Sequence, residues 1–262
     1  MKDLNNVEVY LFDMDGTLNM GDEPIEGAME TLKILTEKGK TVCFCTNNSS
    51  KSKYDYLNKV RKMGYEAKIE QIITSGMATA SYLNKYYKGK SIFCLGTETL
   101  VKELREYGIN CVNVGEDADI AVLAFDTELT YAKLWHFTNL VAQKKFYVAT
   151  HPDFVCPSNN GDMPDAGSYI ALVEKTTGRL PDVVIGKPNH AMAEYVFDFC
   201  AVSPEKVAFV GDRLYTDIKF AINNDLTGVL VLSGETTLED YKKSGLKVDY
   251  VFDTVNELRK FV

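Results

Sequence analysis

The chain has 262 residues, enough for one large domain or two modest ones. Hydrophobic residues make up 45% and charged residues 25%, which is the ordinary balance of a globular protein and excludes a disordered or collagen-like chain. The 29 basic and 37 acidic residues give a net charge of −8. This charge argues against nucleic acid or an anionic membrane as a general partner, but a small anionic substrate stays open.

Targeting signals and metal-binding cysteines are not expected. No apolar run approaches the ~20 residues that a membrane helix needs. The polar N-terminus leads directly into a short apolar segment, so we expect no secretory signal and a cytoplasmic location. The six cysteines form no Cys-x-x-Cys pair and there are three histidines. This composition disfavours zinc and predicts reduced, packed thiols.

Strand-like and helix-like segments alternate along most of the chain, which is typical of an α/β protein with a mainly parallel sheet. The first part predicts strands at 7–12, 41–45 and 72–73, and helices at 27–38, 51–63 and 76–87. The middle part predicts strands at 91–94, 119–124 and 146–149, helices at 98–107, 130–143 and 168–177, and a polar stretch at 156–164. The last part predicts strands at 183–185, 207–210, 228–232 and 248–252, helices at 190–200 and 214–224, and a short terminal helix.

Two carboxylates follow the first predicted strand, in the segment Asp13-Met14-Asp15-Gly16-Thr17. Acidic groups at i and i+2 repel each other unless a cation or a shared proton compensates, which indicates a magnesium site. Gly16 lets the chain turn sharply away from the strand. Taken alone, however, the segment is more simply explained as an acidic surface turn.

Three later segments also place polar side chains just past predicted strands. Thr46 can grip a phosphoryl oxygen or simply cap the next helix. Lys187, in Gly186-Lys187-Pro188, offers a point charge suited to phosphate, although in isolation a solvated surface lysine is the better interpretation. Asp212 and Asp217 add two acids, which can equally be a helix N-cap and a solvated side chain.

The common position of these four segments carries more weight than any one of them. All of them fall at carboxyl ends of predicted strands, which is the edge where open α/β sheets bind ligands. Together they supply carboxylates, a hydroxyl and a lysine. This set suits phosphoryl transfer, which depends mainly on positioning and charge neutralisation.

The four segments, in this order, resemble the motifs of a haloacid dehalogenase (HAD) superfamily phosphatase, in particular its NagD or para-nitrophenylphosphatase-like branch. The first motif is Asp13-Met14-Asp15-Gly16-Thr17, the second is Thr46-Asn47-Asn48, the third is Gly186-Lys187-Pro188, and the fourth runs from Gly211 to Asp217. The resemblance covers nearly the whole chain and implies a Rossmann-like core with an inserted smaller α/β cap domain.

Motif spacing locates the insert. The first two motifs are 33 residues apart, since 46 − 13 = 33, which leaves no room for a cap between them. The second and third are 141 apart, since 187 − 46 = 141. We therefore expect a catalytic core at 1–81 and 183–262 and an α/β cap at 82–182 that sets substrate specificity. The segments most similar to the family's substrate-facing loop are Asp165-Ala166-Gly167-Ser168 and His151-Pro152-Asp153.

The resemblance also implies roles for individual residues. Asp13 would be the nucleophile and Asp15 the general acid and base. Mg²⁺ would be held by Asp13, the backbone carbonyl of Asp15, and Asp212. The phosphoryl group would be oriented by Thr46, Asn47 and Lys187. Asp217 would support the lysine or metal-bound water. The cap would contact substrate through Asp165, Gly167 and Ser168.

The resulting hypothesis is a Mg²⁺-dependent phosphatase that acts on a small phosphorylated metabolite through an aspartyl-phosphate. The resemblance further implies a homodimer formed through the cap. An aspartate at position 15 favours a phosphatase or phosphomutase, and the absence of a small helical cap between the first two motifs favours hydrolysis. The alternative is a non-catalytic phospho-ligand sensor on the same scaffold. A nucleotide-binding Rossmann protein is disfavoured because no Gly-x-Gly-x-x-Gly follows the first strand.

Overall fold

The computed structural model describes residues 2–158 and 160–261. Asn159, part of the predicted polar stretch, lies outside the described residues. By the contacts between their backbones, the described residues form two compact units. The first comprises 2–46, 53–73 and 187–261, and the second comprises 47–52 and 74–186.

Both units are built from strands and helices that alternate along the chain. In the described residues the strands are β1 Val9–Phe12, β2 Asn19–Met20, β3 Glu23–Pro24, β4 Thr41–Thr46, β5 Ile72–Thr74, β6 Ser91–Leu95, β7 Asn110–Cys111, β8 Ile120–Leu123, β9 Phe146–Ala149, β10 Val155–Cys156, β11 Met163–Pro164, β12 Val183–Val184, β13 Val207–Gly211, β14 Thr227–Val231 and β15 Tyr250–Phe252. The α-helices are α1 Ala28–Glu37, α2 Lys53–Lys62, α3 Ser75–Tyr86, α4 Glu98–Glu106, α5 Tyr131–Ala142, α6 Ala166–Thr177, α7 His190–Cys200, α8 Lys219–Asn223 and α9 Leu238–Ser244.

The first unit contains a six-stranded sheet in the order β15-β14-β13-β1-β4-β5. From β15 to β4 every pairing is parallel, and Leu11 at its centre lies beside Phe209 on one side and Cys43 on the other. The strand order reverses at β1, since later strands lie on both sides of it. Ligands of open α/β sheets bind beyond the carboxyl ends of the strands at such a reversal.

The central strands of this sheet are buried on both faces. All four residues of β1 and all five residues of β13 are buried, as continuous apolar strands in a covered parallel sheet should be. The core on one face of the sheet includes Tyr10, Phe12 and Phe44, packed with Leu32 of α1. The loops that leave β1 and β13 therefore start from rigid positions.

The second unit has its own five-stranded sheet, in the order β12-β9-β8-β6-β7, with every pairing parallel. Its core includes Phe93, Leu123, Phe137 and Tyr147. The structure thus confirms the prediction of an α/β fold with mainly parallel sheets. The predicted insert, 82–182, lies inside this second unit, whose bounds are wider.

Several elements differ from the sequence-based prediction. The helix predicted at 214–224 begins as a π-helical turn, Leu214–Ile218, before α8, and the terminal helix is a 3₁₀ helix, Val255–Lys260. Helix α9 and the short strand pairs β2–β3 and β10–β11 were not predicted. The six cysteines are free thiols, as expected. Within 2–158 and 160–261, no helix combines the length and the apolar character that crossing a bilayer requires.

Candidate active site

The candidate site of the first unit lies where β1 and its neighbour β13 end. Asp13 directly follows β1, and its backbone N–H donates to Val210 O of β13 at 2.9 Å. Asp212 directly follows β13. Because these strands are adjacent, parallel and in register, both carboxylates leave the same edge of the sheet, as the sequence analysis anticipated.

Three carboxylates meet at this edge. Asp13, Asp212 and Asp217 each offer an oxygen, and the three oxygens lie within 4.8 Å of one another. Burial raises the pKa of Asp13 to about 6, although Lys187 opposes the rise. Burial, and then the charge of Asp13, raise the pKa of Asp212 to about 7. A hard divalent cation with oxygen ligands would relieve this repulsion, so the donor set fits Mg²⁺.

Lys187 lies against two of these carboxylates. Its Nζ donates to Asp13 Oδ1 at 2.6 Å, to Asp217 Oδ1 at 2.8 Å and to Cys45 O at 3.1 Å. The side chain is 2% exposed. Burial alone would lower the pKa of the ammonium, but the charges of Asp13 and Asp217 outweigh it and raise that pKa above its usual range. Lys187 therefore stays charged, and it is not the solvated surface lysine that the isolated motif suggested.

Asp212 is fixed by groups from two other loops. Thr17 Oγ1 donates to Asp212 Oδ1 at 3.0 Å, and the backbone N–H of Glu235 donates to Asp212 Oδ2 at 2.8 Å. Gly16, at φ +89°, passes so close that a Cβ there would overlap the Asp212 carboxylate. Only glycine suits this turn, for its backbone conformation and for the available space.

Asp217 is presented by the π-helical turn that follows β13. The backbone N–H of Arg213 donates to Asp217 Oδ2 at 3.1 Å while Oδ1 receives Lys187. The backbone N–H groups of Asp217 and Ile218 both donate to Arg213 O, each at 3.1 Å, which widens the turn. Such π-turns are frequent at functional sites.

Asp15 lies apart from this acidic cluster. Its side chain is 55% exposed, and its Oδ1 accepts from Lys59 Nζ at 2.8 Å and from Asn19 Nδ2 at 2.6 Å. Sequence reasoning missed both partners. Asn19 follows Asp15 by four residues within the same loop, whereas Lys59 is 44 residues away on α2 and no motif spacing points to it.

The second motif is divided between the two units. Thr46 is the last residue of β4 in the first unit, whereas Asn47 is grouped with the second unit. There, Asn47 Nδ2 donates to Asp153 Oδ1 at 3.1 Å, and Ser75 Oγ donates to the carbonyl oxygen of Asn47. Asp153 and Ser75 of the second unit thus hold Asn47.

The residues expected to contact substrate from the cap lie close together in the second unit. His151 is fully buried, and its Nε2 lies 2.8 Å from Asp165 Oδ1, which also accepts from the backbone N–H of Ala166 as the N-cap of α6. The Gly167 N–H donates to Asp153 O at 2.8 Å, and Ser168 Oγ donates to Phe154 O at 2.6 Å. These bonds order the start of α6 within its own unit.

Comparisons with known proteins show the family of the chain. Residues 10–110 match a family described as haloacid dehalogenase-like hydrolase, and 184–258 match a related HAD-like hydrolase family. An acid sugar phosphatase of Staphylococcus aureus is 34% identical over 254 residues, covering 97% of each chain.

Solved structures give the same result. A 4-nitrophenylphosphatase of Thermotoga maritima superposes with a TM-score of 0.93 at 43% identity, covering 98% of each chain. NagD from E. coli gives a TM-score of 0.87 at 27% identity, covering 96% of this chain and 98% of its own.

The chain belongs to the haloacid dehalogenase-like hydrolase family. Within it, the chain is a phosphatase of the NagD-like branch, a phosphoric monoester hydrolase, which confirms the resemblance read from the four motifs. These relatives favour a hydrolase over a non-catalytic sensor of phosphorylated ligands.

Proposed function

We propose that this phosphatase is Mg²⁺-dependent and hydrolyses a small phosphorylated metabolite through an aspartyl-phosphate on Asp13. The observation that carries the proposal is the cluster of half-buried Asp13 and buried Asp212 and Asp217 against Lys187. With every group ionised and Arg213 neutralised by Glu235 at 3.0 Å, three carboxylates and one ammonium leave a charge of −2, since −3 + 1 = −2. One divalent cation would balance it.

The carboxylates of Asp13 and Asp212 and the backbone carbonyl of Asp15 would hold Mg²⁺, which supplies positive charge against the phosphoryl oxygens. Asp217, bonded to Lys187 and to the Arg213 N–H, supports the lysine. Thr46, Asn47 and Lys187 orient the phosphoryl group and offset the charge that develops on it.

Asp13 acts as the nucleophile. One of its oxygens bonds to phosphorus while the ester P–O bond breaks, and Asp15 gives a proton to the leaving oxygen. Asp15 then takes a proton from the water that attacks phosphorus and releases Asp13. Lys187 keeps Asp13 ionised and oriented for the attack, as its 2.6 Å hydrogen bond indicates.

Substrate choice is assigned to the insert. We propose that 82–182 acts as the specificity cap and that Asp165, Gly167 and Ser168 contact substrate. The S. aureus relative is named an acid sugar phosphatase, so a sugar phosphate is the first metabolite to test. A homodimer formed through the cap and a cytoplasmic location stay predictions.

Phosphate release from 4-nitrophenyl phosphate tests the function. We expect turnover with Mg²⁺, loss of turnover in EDTA and recovery on adding Mg²⁺ back. We expect Asp13→Asn to abolish turnover and the hydroxylamine-labile ³²P label that the wild type takes up from labelled substrate. Asp22→Asn, an exposed acid in the same loop, is the matched control and keeps both. Full turnover by Asp13→Asn would refute the nucleophile assignment.

A further inference from the structure

The hydrogen bonds around Asp15 are one-sided. Asn19 Nδ2 and Lys59 Nζ both donate to the same oxygen, Oδ1. Among the described residues, nothing hydrogen-bonds to Oδ2. The two carboxyl oxygens are therefore inequivalent: one is anchored by two donors and the other is left for chemistry.

Asn19 is oriented as a donor. It is fully buried, and its Nδ2 donates to Gly21 O at 2.7 Å as well as to Asp15 Oδ1 at 2.6 Å. Turning the amide over would lose both bonds and set an oxygen against the carboxylate. The backbone adds to this hold, because the Gly16 N–H donates to Asn19 O at 2.7 Å and residues 15 and 19 form an isolated bridge.

This orientation leaves a polar atom unused. Asn19 Oδ1 is buried and accepts no hydrogen bond from any described residue. An unsatisfied buried acceptor destabilises the folded state. Local conflicts of this kind are expected where function, not stability, selects the side chain. An apolar residue would avoid the cost, but it could not hold Asp15.

Lys59 holds the same oxygen from α2. Its side chain is 23% exposed, and its Nζ lies 2.8 Å from Asp15 Oδ1. An ion pair to a half-exposed carboxylate contributes little to stability. Its effect is directional, since it adds a second donor from a helix fixed in the core by Tyr56, Leu57 and Val60.

We infer that Asn19 and Lys59 are positioning residues that anchor Asp15 Oδ1, so that Oδ2 alone moves protons in the reaction. The inference rests on the proposed function, in which Asp15 is the acid and base. With two donors on Oδ1, Oδ2 is the oxygen left to face the reacting groups.

Each half-reaction then uses the same oxygen. In the first, Asp13 bonds to phosphorus, the ester P–O bond breaks with its electron pair on the leaving oxygen, and that oxygen takes the proton from Oδ2. In the second, Oδ2 takes a proton from water, the water oxygen bonds to phosphorus, and the P–O bond to Asp13 breaks. The cycle ends with phosphate and with Asp15 protonated as at the start.

The test compares phenyl phosphate with 4-nitrophenyl phosphate. The two substrates have similar shapes, but their leaving groups differ in their need for a proton. Phenolate is strongly basic, with a conjugate-acid pKa of about 10 like that of tyrosine, whereas a nitro group makes the leaving oxygen much less basic. With enzyme in excess and saturating Mg²⁺, rapid quenching measures the first-turnover release of phenol and of 4-nitrophenol.

We expect Asn19→Leu to slow phenol release about tenfold and 4-nitrophenol release less than about threefold, because general acid catalysis matters most for the basic leaving group. Lys59→Met, which removes only the half-exposed donor, should slow phenol release about threefold. Lys59→Arg should restore it. Lys62→Met, an exposed lysine on the same helix, is the matched control and should change neither rate.

Equal slowing of both substrates, or no slowing in either variant, overturns the inference. If thermal unfolding shows that Asn19→Leu does not fold, Lys59→Met and its Arg rescue decide the question. Two reference variants separate this result from failure of the proposed function. Asp13→Asn must lose turnover and Asp15→Asn must show the strongest leaving-group dependence; if they do not, the proposed function itself has failed.

Discussion

The two units carry the same kind of sheet but use its carboxyl edge differently. In the first, Asp13 and Asp217 share one lysine while Asp212 accepts from neutral donors, which leaves acidic charge uncompensated. In the second, each of three acidic residues near the carboxyl ends of the strands pairs with a separate side-chain donor. Lys133 Nζ lies 3.1 Å from Asp126 Oδ2, His151 Nε2 lies 2.8 Å from Asp165 Oδ1, and Asn47 bonds to Asp153.

This difference separates a candidate cation site from a sheet edge whose acids are paired. Acids that each pair with a donor have little charge left to attract a metal ion, whereas crowded acids attract a cation. Parallel strand ends supply the location in both units. The charge balance of the side chains placed there distinguishes the candidate cation site from the other edge, which the fold alone does not.

Removing the shared lysine should have the largest effect. We expect Lys187→Met to lower kcat for 4-nitrophenyl phosphate at least about 100-fold, since it removes a preorganised charge at the phosphoryl site. It should also destabilise the metal-free protein by about 3 kcal/mol, because it leaves Asp13 and Asp217 buried without their cation. Steady-state kinetics and urea unfolding measure the two effects. Retention of kcat within tenfold would contradict the assigned role.

Mg²⁺ binding should raise the free energy of unfolding. At 100 times the dissociation constant, a ligand specific to the folded state adds about 2.7 kcal/mol to the free energy of unfolding. We expect this increment in the wild type and its loss in Asp212→Asn, which keeps an oxygen to accept from Thr17 but removes the charge. Unfolding with and without Mg²⁺ measures it. An undiminished increment in Asp212→Asn would place the ion elsewhere.

The metal-free protein should lose stability as pH rises. Burial raises the pKa of Asp13 to about 6 and of Asp212 to about 7, so both bind protons more tightly folded than unfolded. Where the folded state binds more protons, stability falls with rising pH, here from about pH 4 to about pH 7. Asp212→Asn should flatten this decline, as measured by urea unfolding in EDTA. An identical slope in wild type and variant would contradict the assignment.

Much of this site could be predicted from sequence because its parts follow strands directly. Asp13 and Asp212 each come one residue after a buried apolar strand, so the strand pattern alone places them at one edge. The partners of Asp15 could not be predicted. No local pattern specifies that a lysine on α2 reaches a loop 44 residues earlier.

The missed elements have separate physical reasons. Strands β2, β3, β10 and β11 have two residues each, too short for any periodic signal. Helix α9 did leave a signal, since Thr237 and Asp240 form a capping box. The π-turn before α8 depends on Arg213 O accepting two N–H groups, a hydrogen-bond pattern that the helical period of the sequence does not predict.

The smallest effect on activity should come from substituting Lys133, the lysine that pairs with an edge acid of the second unit. Lys133 Nζ donates to Asp126 Oδ2 and to Gly96 O, each at 3.1 Å. We expect Lys133→Met to lower the free energy of unfolding by about 1–3 kcal/mol, because the buried Asp126 carboxylate loses its partner. The kcat of this variant for 4-nitrophenyl phosphate, and the increase in its unfolding free energy on adding Mg²⁺, should both stay within twofold of the wild type. Lys133 pairs with a single acid and is not part of the cluster that we expect to bind Mg²⁺.

Lys145→Met is the matched control within the same unit, since Lys145 pairs with the exposed Asp117 at 2.8 Å and such pairs contribute little. Its unfolding free energy and kcat should both match the wild type. A loss of kcat in Lys133→Met as large as that in Lys187→Met would mean that the second edge also takes part in catalysis. The contrast between crowded and paired charge would then fail as the rule that tells the two sheets apart.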